Sequence, residues 1–421
     1  MCGIGAILRR GPDAAGPVAE LTNSINKMCS QLRHRGPDGA GYAVIGGGAG
    51  VLGHVRLSVI DLEGGRQPMH NEDGSVTITY NGEIYDYKDH RAKLEAAGHV
   101  FRTQSDTEVI VHMYEEYGLG FLEHLNGEFA FVLWDETRKR LVAATDRFAI
   151  KPLHYRLTAR HALFASEAKA IFAAGLESDL QAGARSFSND FLVGPLFGAF
   201  PDGITLFENV ASLPAAHRLV IEGGRAPRLE RYWMPAFATD EAMTFEAARD
   251  GVRTHFENAV RRRQIADVDV GTYLSGGLDS TLVCGLMSKH TRRLKAFNVG
   301  FGGTEFDESG LARKIADHFG AEFESVNCDE RVLLDNLVTT LWHVEKPIAN
   351  SNAVAKFVLS KLTRERGYKV VVTGEGSDEV FGGYPYFKQE RIWRMRDRRR
   401  ANLLMKRFRA LERRSESLLW T

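Results

Sequence analysis

The two halves of this 421-residue sequence carry different periodicities, and that change limits the folds open to it. Up to residue 222, short β-type runs dominate, separated by Gly and Asn/Asp turns: "GYAVIGG", "SVTITYNGEIYD", "GEFAFVLWDETRKRLVAATDRF" and "HALFASEAKAI". The third reads as a hairpin that turns at "DETRK". Helices are predicted over 88–97 and 106–117, the second capped by Ser105 and carrying Val109, Ile110, His112, Met113 and Tyr117. Hairpins mixed with helices predict an α+β layered domain.

After residue 242 the pattern becomes strand, loop, helix, repeated. "DVGTYL" precedes "STLVCGLMSKH", "LKAFNVGF" precedes "ESGLARKIADHFG", and "EFESVNC" and "YKVVVTG" supply further strands. Such alternation predicts an α/β doubly wound parallel sheet. Between the halves, "GGRAPRLERYWMPAFATDE" is loop-like. A chain of this length exceeds one ordinary core, so the expected organisation is a domain over 2–222, a linker over 223–242 and a second domain over 243–421.

Charge and composition exclude several classes. The 54 basic and 54 acidic residues cancel, leaving no global field for nucleic acid or lipid. No apolar run reaches the roughly 18 residues of a bilayer span, and the opening "MCGIGAILRR" is stopped by Arg9 and Arg10 before it could serve as a secretory leader. A cytoplasmic protein is expected. The stretch 388–414 holds 12 Lys/Arg against 3 acids with interleaved apolar residues, and is read as a solvated helix face, not a nucleic-acid contact. Cys2, Cys29, Cys284 and Cys328 show no zinc or disulfide spacing. The last three are expected in the core; Cys2 is set apart by its position.

"YLSGGLDS" (273–280) follows a strand and opens a helix, but lacks the Lys of a Walker loop. Gly276 and Gly277 let the backbone approach an anion, Ser275 and Ser280 add hydroxyl donors, and the helix presents its positive end. Asp279 would repel a bare phosphate, so its presence implies Mg²⁺ between carboxylate and phosphate. In "VVVTGEGSDEVFGGY" (370–384) a buried strand ends in Thr373, Gly374, Glu375, Ser377, Asp378 and Glu379. Doubly wound sheets bind ligands beyond the carboxyl ends of their strands, so this cluster can face the first. Asp279 and Asp378 are candidate Mg²⁺ ligands, and Glu375 is a candidate base or orienting group.

These two motifs resemble the synthetase domain of glutamine-hydrolysing asparagine synthetases, a branch of the ATP pyrophosphatases. The resemblance implies that a carboxylate is adenylated by ATP and the acyl-AMP is captured by ammonia. It places the pyrophosphate part of ATP on Leu274, Ser275, Gly276, Gly277, Asp279 and Ser280. Val299 would lie by the adenine, Thr373 and Gly374 would complete the nucleotide site, and Glu375 would act in the ammonia attack.

The first half resembles the class II, N-terminal-nucleophile glutamine amidotransferases through "MCGIGAI", "HRGPDG" (34–39), "GHVRLSVIDL" (53–62), "YNGEIYD" (80–86) and "SDTEVI" (105–110). Removal of Met1 would give Cys2 a free α-amine of pKa roughly 7.7–8.0, suited to take the thiol proton. The thiolate would attack the glutamine amide, with Asn81 and Gly82 as the oxyanion hole. Arg56 suits the substrate α-carboxylate and Asp106 its α-ammonium, and Glu83 joins them in glutamine binding. If Met1 stays on, the glutaminase should be silent. The resemblance implies that ammonia released at Cys2 travels an internal passage to the second site. The expected substrates are glutamine, ATP and L-aspartate, and the resemblance leaves a homodimer open.

Four departures from the family pattern stand out. "DRLGIKPLYY" is here "DRFAIKPLHY" (146–155), and "PPGH" is "PAAH" (214–217). The stretch "HVEKPIANSNAVAKFVLSK" (343–361) matches neither usual acceptor pattern: Asn350, Ser351 and Asn352 suit a polar acid, yet no Arg stands there for a second carboxylate. Amidation of a different carboxylate is therefore the alternative expectation. Relatives also continue beyond the GGY motif with a helical section bearing a late Lys, so the second domain is expected to be incomplete.

Overall fold

The computed structural model describes residues 1–11, 16–176, 187–188, 191, 202–223, 225–305, 307–348, 350–395, 399–400 and 402–407. The chain forms two compact units. The first joins Met1–Val270 with Cys328–Val370; the second joins Gly271–Asn327 with the chain from Val371 onward.

In the first unit, helices cover the outer faces of two six-stranded sheets. The first sheet is built from β1 (Gly3–Arg9), β2 (Gly39–Ile45), β3 (Gly50–Arg56), β8 (His154–Leu157), β9 (His161–Ala165) and β10 (Ala211–Ser212), in the order β10-β8-β9-β1-β3-β2. The second uses β4 (Met69–His70), β5 (Val76–Ile84), β6 (Gly127–Asp135), β7 (Arg140–Thr145), β11 (His217–Glu222) and β12 (Arg228–Arg231), in the order β12-β11-β7-β6-β5-β4. The pairings resolved along both sheets are antiparallel.

Strand alternation explains the layers. Ile4, Ala6 and Leu8 of β1 point one way and pack with Ala130, Val132 and Trp134 of β6, filling the space between the sheets. Ile7 points the other way, onto α1 (Val18–Gln31), whose Leu21, Ile25 and Met28 recur at helical spacing. On the outer face of the second sheet, Ile78, Tyr80, Phe129 and Phe131 pack against α2 (Tyr87–Ala96) and α3 (Asp106–Tyr117). Each such buried side chain stabilises the fold by roughly 1.5–3 kcal/mol.

The expected helices and hairpin are present within a residue or two. The Ser105 side chain accepts a hydrogen bond from the Thr107 N–H as the cap of α3, and the β6–β7 turn falls on residues 136–139. Within 223–242, Arg228–Arg231 form the edge strand β12, with Leu229 opposite Leu219 and Glu230 paired to Arg218 at 2.8 Å. Three further helices follow: α4 (Ala168–Ala173), then α5 (Phe245–Arg262), and α6 (Leu278–Ser288) in the second unit.

The second unit's sheet comprises β13 (Val270–Tyr273), β14 (Lys295–Gly300), β15 (Glu322–Asn327) and β16 (Val370–Val372), in the order β15-β14-β13-β16. β13, β14 and β15 are mutually parallel. α6 follows β13, and α7 (Ser309–Phe319) follows β14. The chain moves outward one way from β13 to β15 and returns on the other side at β16. The strand order therefore reverses beside β13, the position where open α/β sheets form a ligand crevice. Two helices from Cys328–Val370 belong to the first unit, α8 (Glu330–Val344) and α9 (Asn352–Glu365). α10 (Ser377–Phe381) and α11 (Pro385–Trp393) complete the numbered elements. Of the basic stretch 388–414, residues 396–398, 401 and 408–414 lie outside the described residues. Among the described residues, no helix is long and apolar enough to cross a membrane.

Candidate functional site

Cys2 immediately precedes β1, so the pairing of Gly3 with Val55 fixes where its thiol stands. Glycine is needed at position 3, where a Cβ would lie 2.7 Å from the Val55 side chain. The Cys2 sulfur accepts a hydrogen bond from the Leu57 N–H at 3.3 Å, and the thiol faces the Leu57 carbonyl at 3.6 Å. Arg35 holds the Cys2 carbonyl from the other side, its Nε donating at 2.9 Å. Burial pushes the Cys2 thiol up, while the neighbouring terminal amine and Arg56 favour the thiolate. The Met1 side chain is half exposed, but its α-amine is turned inward. Burial lowers that amine to about 5, with Arg35 and Lys151 acting in the same direction and Cys2 and Glu83 opposing. An amine beside the thiol is thus kept in its proton-accepting form at neutral pH. The other three cysteines are buried core residues, as expected.

β5 carries Asn81, Gly82 and Glu83. Asn81 is buried and its Nδ2 has no partner. A buried amide donor left unpaired costs about 1–3 kcal/mol, which marks it as a group awaiting an acceptor. Glu83 is half-buried, with its Oε2 atom buried and unpaired. Burial and the nearby Asp106 push its carboxyl well above the usual range, against Lys151 and the terminal amine.

Asp106 opens α3 and is buried. Its Oδ2 accepts from the Tyr80 hydroxyl at 2.8 Å and from the Ile84 N–H at 3.0 Å. Burial raises its carboxyl to about 6, partly offset by those donors. Arg56 is beside the thiol, but much of its fork is already engaged: Nη1 donates to Leu62 O at 3.0 Å, and Nη2 to Ile60 O at 3.2 Å and Asp61 O at 2.5 Å. Here it organises the 60–62 loop beside the thiol.

Sequence reasoning missed a charged junction around Glu167. His34 Nε2 and Arg35 Nη1 each lie 2.9 Å from Glu167 Oε1, and Lys169 Nζ is 2.7 Å from Oε2. Glu345 accepts from the Ala168 and Lys169 N–H groups at 2.7 and 2.8 Å, closing the start of α4. "HRGPDG" flagged the first partner; the others lie more than 130 residues away.

In the second unit, Leu274–Ser280 and Thr373–Asp378 meet beside β13 and β16, as the motifs predicted. Thr272 Oγ1 donates to Val372 O at 2.9 Å, and Gly374 is packed so tightly that a Cβ would stand 2.9 Å from Asp279 Cβ. Ser275 folds over the loop: its Oγ accepts from the Gly277 N–H at 3.2 Å and lies 3.0 Å from Ser280 Oγ. Leu274 is fixed by its N–H to Phe297 O, at 2.9 Å, and by Asn298 Nδ2 on its carbonyl at 2.7 Å. Val299 sits in β14, opposite Val326. Burial raises the Asp279 carboxyl, and the negative charge of Asp378 adds to it. Two carboxylates that repel across one cleft form a donor set that fits a hard divalent cation. Glu375 is exposed at the end of β16, its N–H directed at Thr373 Oγ1 at 3.5 Å.

Residues 1–233 match the family described as glutamine amidotransferase domain, and residues 251–420 match asparagine synthase. The chain is 36% identical over 416 residues to "Amidase chry2" of Gibberella zeae, covering 93% of this chain and 60% of that protein. It is 34% identical to "Amidase chyE" of Penicillium rubens, covering 93% and 60% respectively. To "Asparagine synthetase [glutamine-hydrolyzing] 1" of Bacillus subtilis it is 32% identical, covering 92% and 60%. The chain thus spans about 60% of the length of these curated relatives. A leading cysteine beside an amine in a layered α+β unit, and paired acids at the reversal point of a parallel sheet, both fall within the matched segments: the chain belongs to the glutamine-hydrolysing asparagine synthetase family.

Proposed function

We propose that this chain supplies ammonia from glutamine at Cys2 and uses ATP to activate a carboxylate for amidation. The observation that carries the reading is the Cys2 thiol at the head of β1, which receives the Leu57 N–H at 3.3 Å. Once Met1 is removed, the α-amine of Cys2 takes the thiol proton. The thiolate attacks the glutamine side-chain carbonyl, and Asn81 Nδ2 and the Gly82 N–H receive the oxyanion. Collapse expels ammonia, which carries away the proton held by the amine, and water releases glutamate from the thioester. Ionised Asp106 holds the glutamine ammonium, and Arg56 stands by its carboxylate.

At the second site the acceptor carboxylate attacks the α-phosphorus of ATP, and pyrophosphate leaves toward Ser275, Gly276, Gly277 and Ser280. Asp279 and Asp378 would hold Mg²⁺, which neutralises pyrophosphate charge when bound. Ammonia then attacks the acyl-AMP beside Glu375 and displaces AMP.

L-Aspartate is the acceptor that the family resemblance favours. A second reading, amidation of a different carboxylate, is supported by the unusual 343–361 stretch and by the two fungal relatives named as amidases. Glutamine-dependent pyrophosphate release across a panel of carboxylates separates them. Release with aspartate supports the first reading; release only with another acid establishes the second; none with any acid refutes both.

A further inference from the structure

Asp38, the acid of "HRGPDG", and Lys369, just before β16, lie 331 residues apart in sequence yet meet within the first unit. Neither has a place in the mechanism above. Lys369 Nζ donates to Asp38 Oδ2 at 2.6 Å and to Ser58 O at 3.2 Å. The same Asp38 oxygen accepts the Ser58 N–H at 2.8 Å, and the Asp38 N–H donates to Arg56 O at 2.9 Å. Segment 56–58 is therefore held at both ends, and its middle residue, Leu57, presents the N–H that reaches the Cys2 sulfur.

We propose that Lys369 is a positioning residue of the glutaminase, acting through Asp38 and Ser58 to aim the Leu57 N–H at the nucleophilic sulfur. Charge neutralisation alone does not describe it, because its ammonium grips a carboxylate and the backbone of the loop together. An N–H aimed at sulfur favours the thiolate, so a slack loop yields a less reactive thiol. The other charged groups facing the thiol are the α-amine, Arg56 and Glu83, and Lys369 touches none of them in the bonds described. Lys369 also leads directly into the strand that ends in Thr373–Glu375, so the residue that aims the Cys2 loop is covalently tied to the ATP-site strand.

The proposal rests on the glutaminase reading but can be tested apart from it. Iodoacetamide alkylation of Cys2 is followed by mass spectrometry across pH on the whole chain with Met1 removed, for wild type, Lys369→Met, Lys369→Arg and the exchange Asp38→Lys/Lys369→Asp. The expected result is that Lys369→Met alkylates about threefold to tenfold more slowly at neutral pH, with its midpoint moved up by roughly half to one unit. Glutaminase kcat falls in parallel; Lys369→Arg restores both, whereas the exchange, which places a donor against the Ser58 N–H and an acceptor against the Ser58 carbonyl, restores neither. A wild-type alkylation profile for Lys369→Met overturns the proposal, as does failure of Lys369→Arg to restore it or full restoration by the exchange. If the wild type releases no glutamate while the alkylation profile still shifts, the positioning role stands and the glutaminase reading fails.

Discussion

Gly82 lies so close to Glu128 across the β5–β6 ladder that a Cβ on Gly82 would stand 2.2 Å from the Glu128 carbonyl oxygen. Its neighbour Asn81 is buried with an unpaired Nδ2. The two positions should therefore respond oppositely. Gly82→Ala forces the ladder apart and costs roughly 3 kcal/mol. Asn81→Ala removes an unsatisfied donor, so thermal stability holds or rises while glutaminase kcat falls about a hundredfold. Melting curves and glutamate release on the two variants check both halves.

Ala149 and Ala216 occupy positions where the family pattern has glycine, and both adopt left-handed backbone, with φ of 51° and 58°. The Ala216 N–H donates to Asp146 O at 2.9 Å, and Asp146 Oδ1 accepts from the Phe148 and Ile150 N–H groups at 2.9 and 3.2 Å. The fold thus keeps a turn that the residue type resists. Relief of about 1–2 kcal/mol of left-handed strain exceeds the ~0.5–1 kcal/mol entropic cost of glycine. Ala149→Gly and Ala216→Gly should each stabilise the protein by about 0.5–1 kcal/mol, read from denaturant midpoints.

Glu167 is pushed up by burial, but His34, Arg35 and Lys169 together hold it at about 2, against an ordinary value of 4.5. A depressed carboxyl contributes stability above the unfolded value, and this is lost as pH falls from about 4.5 toward 2. Shared among His34, Arg35 and Lys169, that contribution is roughly 2–3 kcal/mol. Glu167→Gln should lower stability by that order at pH 7, with the gap to wild type closing below pH 3. Unfolding measured at both pH values tests the sign.

Asp106 has the opposite shift, raised by burial to about 6 from 3.8. Folding favours its neutral form, so its contribution to stability is present below 3.8 and lost as pH rises through 6. Its proposed partner, the glutamine ammonium, needs the ionised form. KM for glutamine should therefore rise about tenfold per unit as pH falls below 6, while Asp106→Asn abolishes that dependence and has a high KM throughout. A KM–pH profile of both proteins decides this.

Much of the molecule was legible because its signals are local. Ser105 announces the α3 cap, "DETRK" the β6–β7 turn, and strand–SGGLDS–helix the β13–α6 connection, each within a dozen residues. Asp279 and Asp378 could be paired on paper because strand ends in a doubly wound sheet converge. The Glu167 junction and the Lys369 clamp could not, because a residue's type does not name a partner 130 or 331 residues away. Arg56 shows a different limit. Its fork also donates to the carbonyls of residues 60–62, and such backbone acceptors leave no mark in sequence. Segment 228–231 looked loop-like because its charges are those of a solvated edge strand, paired on one side only.

The most direct test of the central claim is glutamate release from glutamine by Cys2→Ala, beside wild-type chain whose mass shows Met1 removed. The folded variant should release none above background. Undiminished glutamate release by folded Cys2→Ala would contradict it.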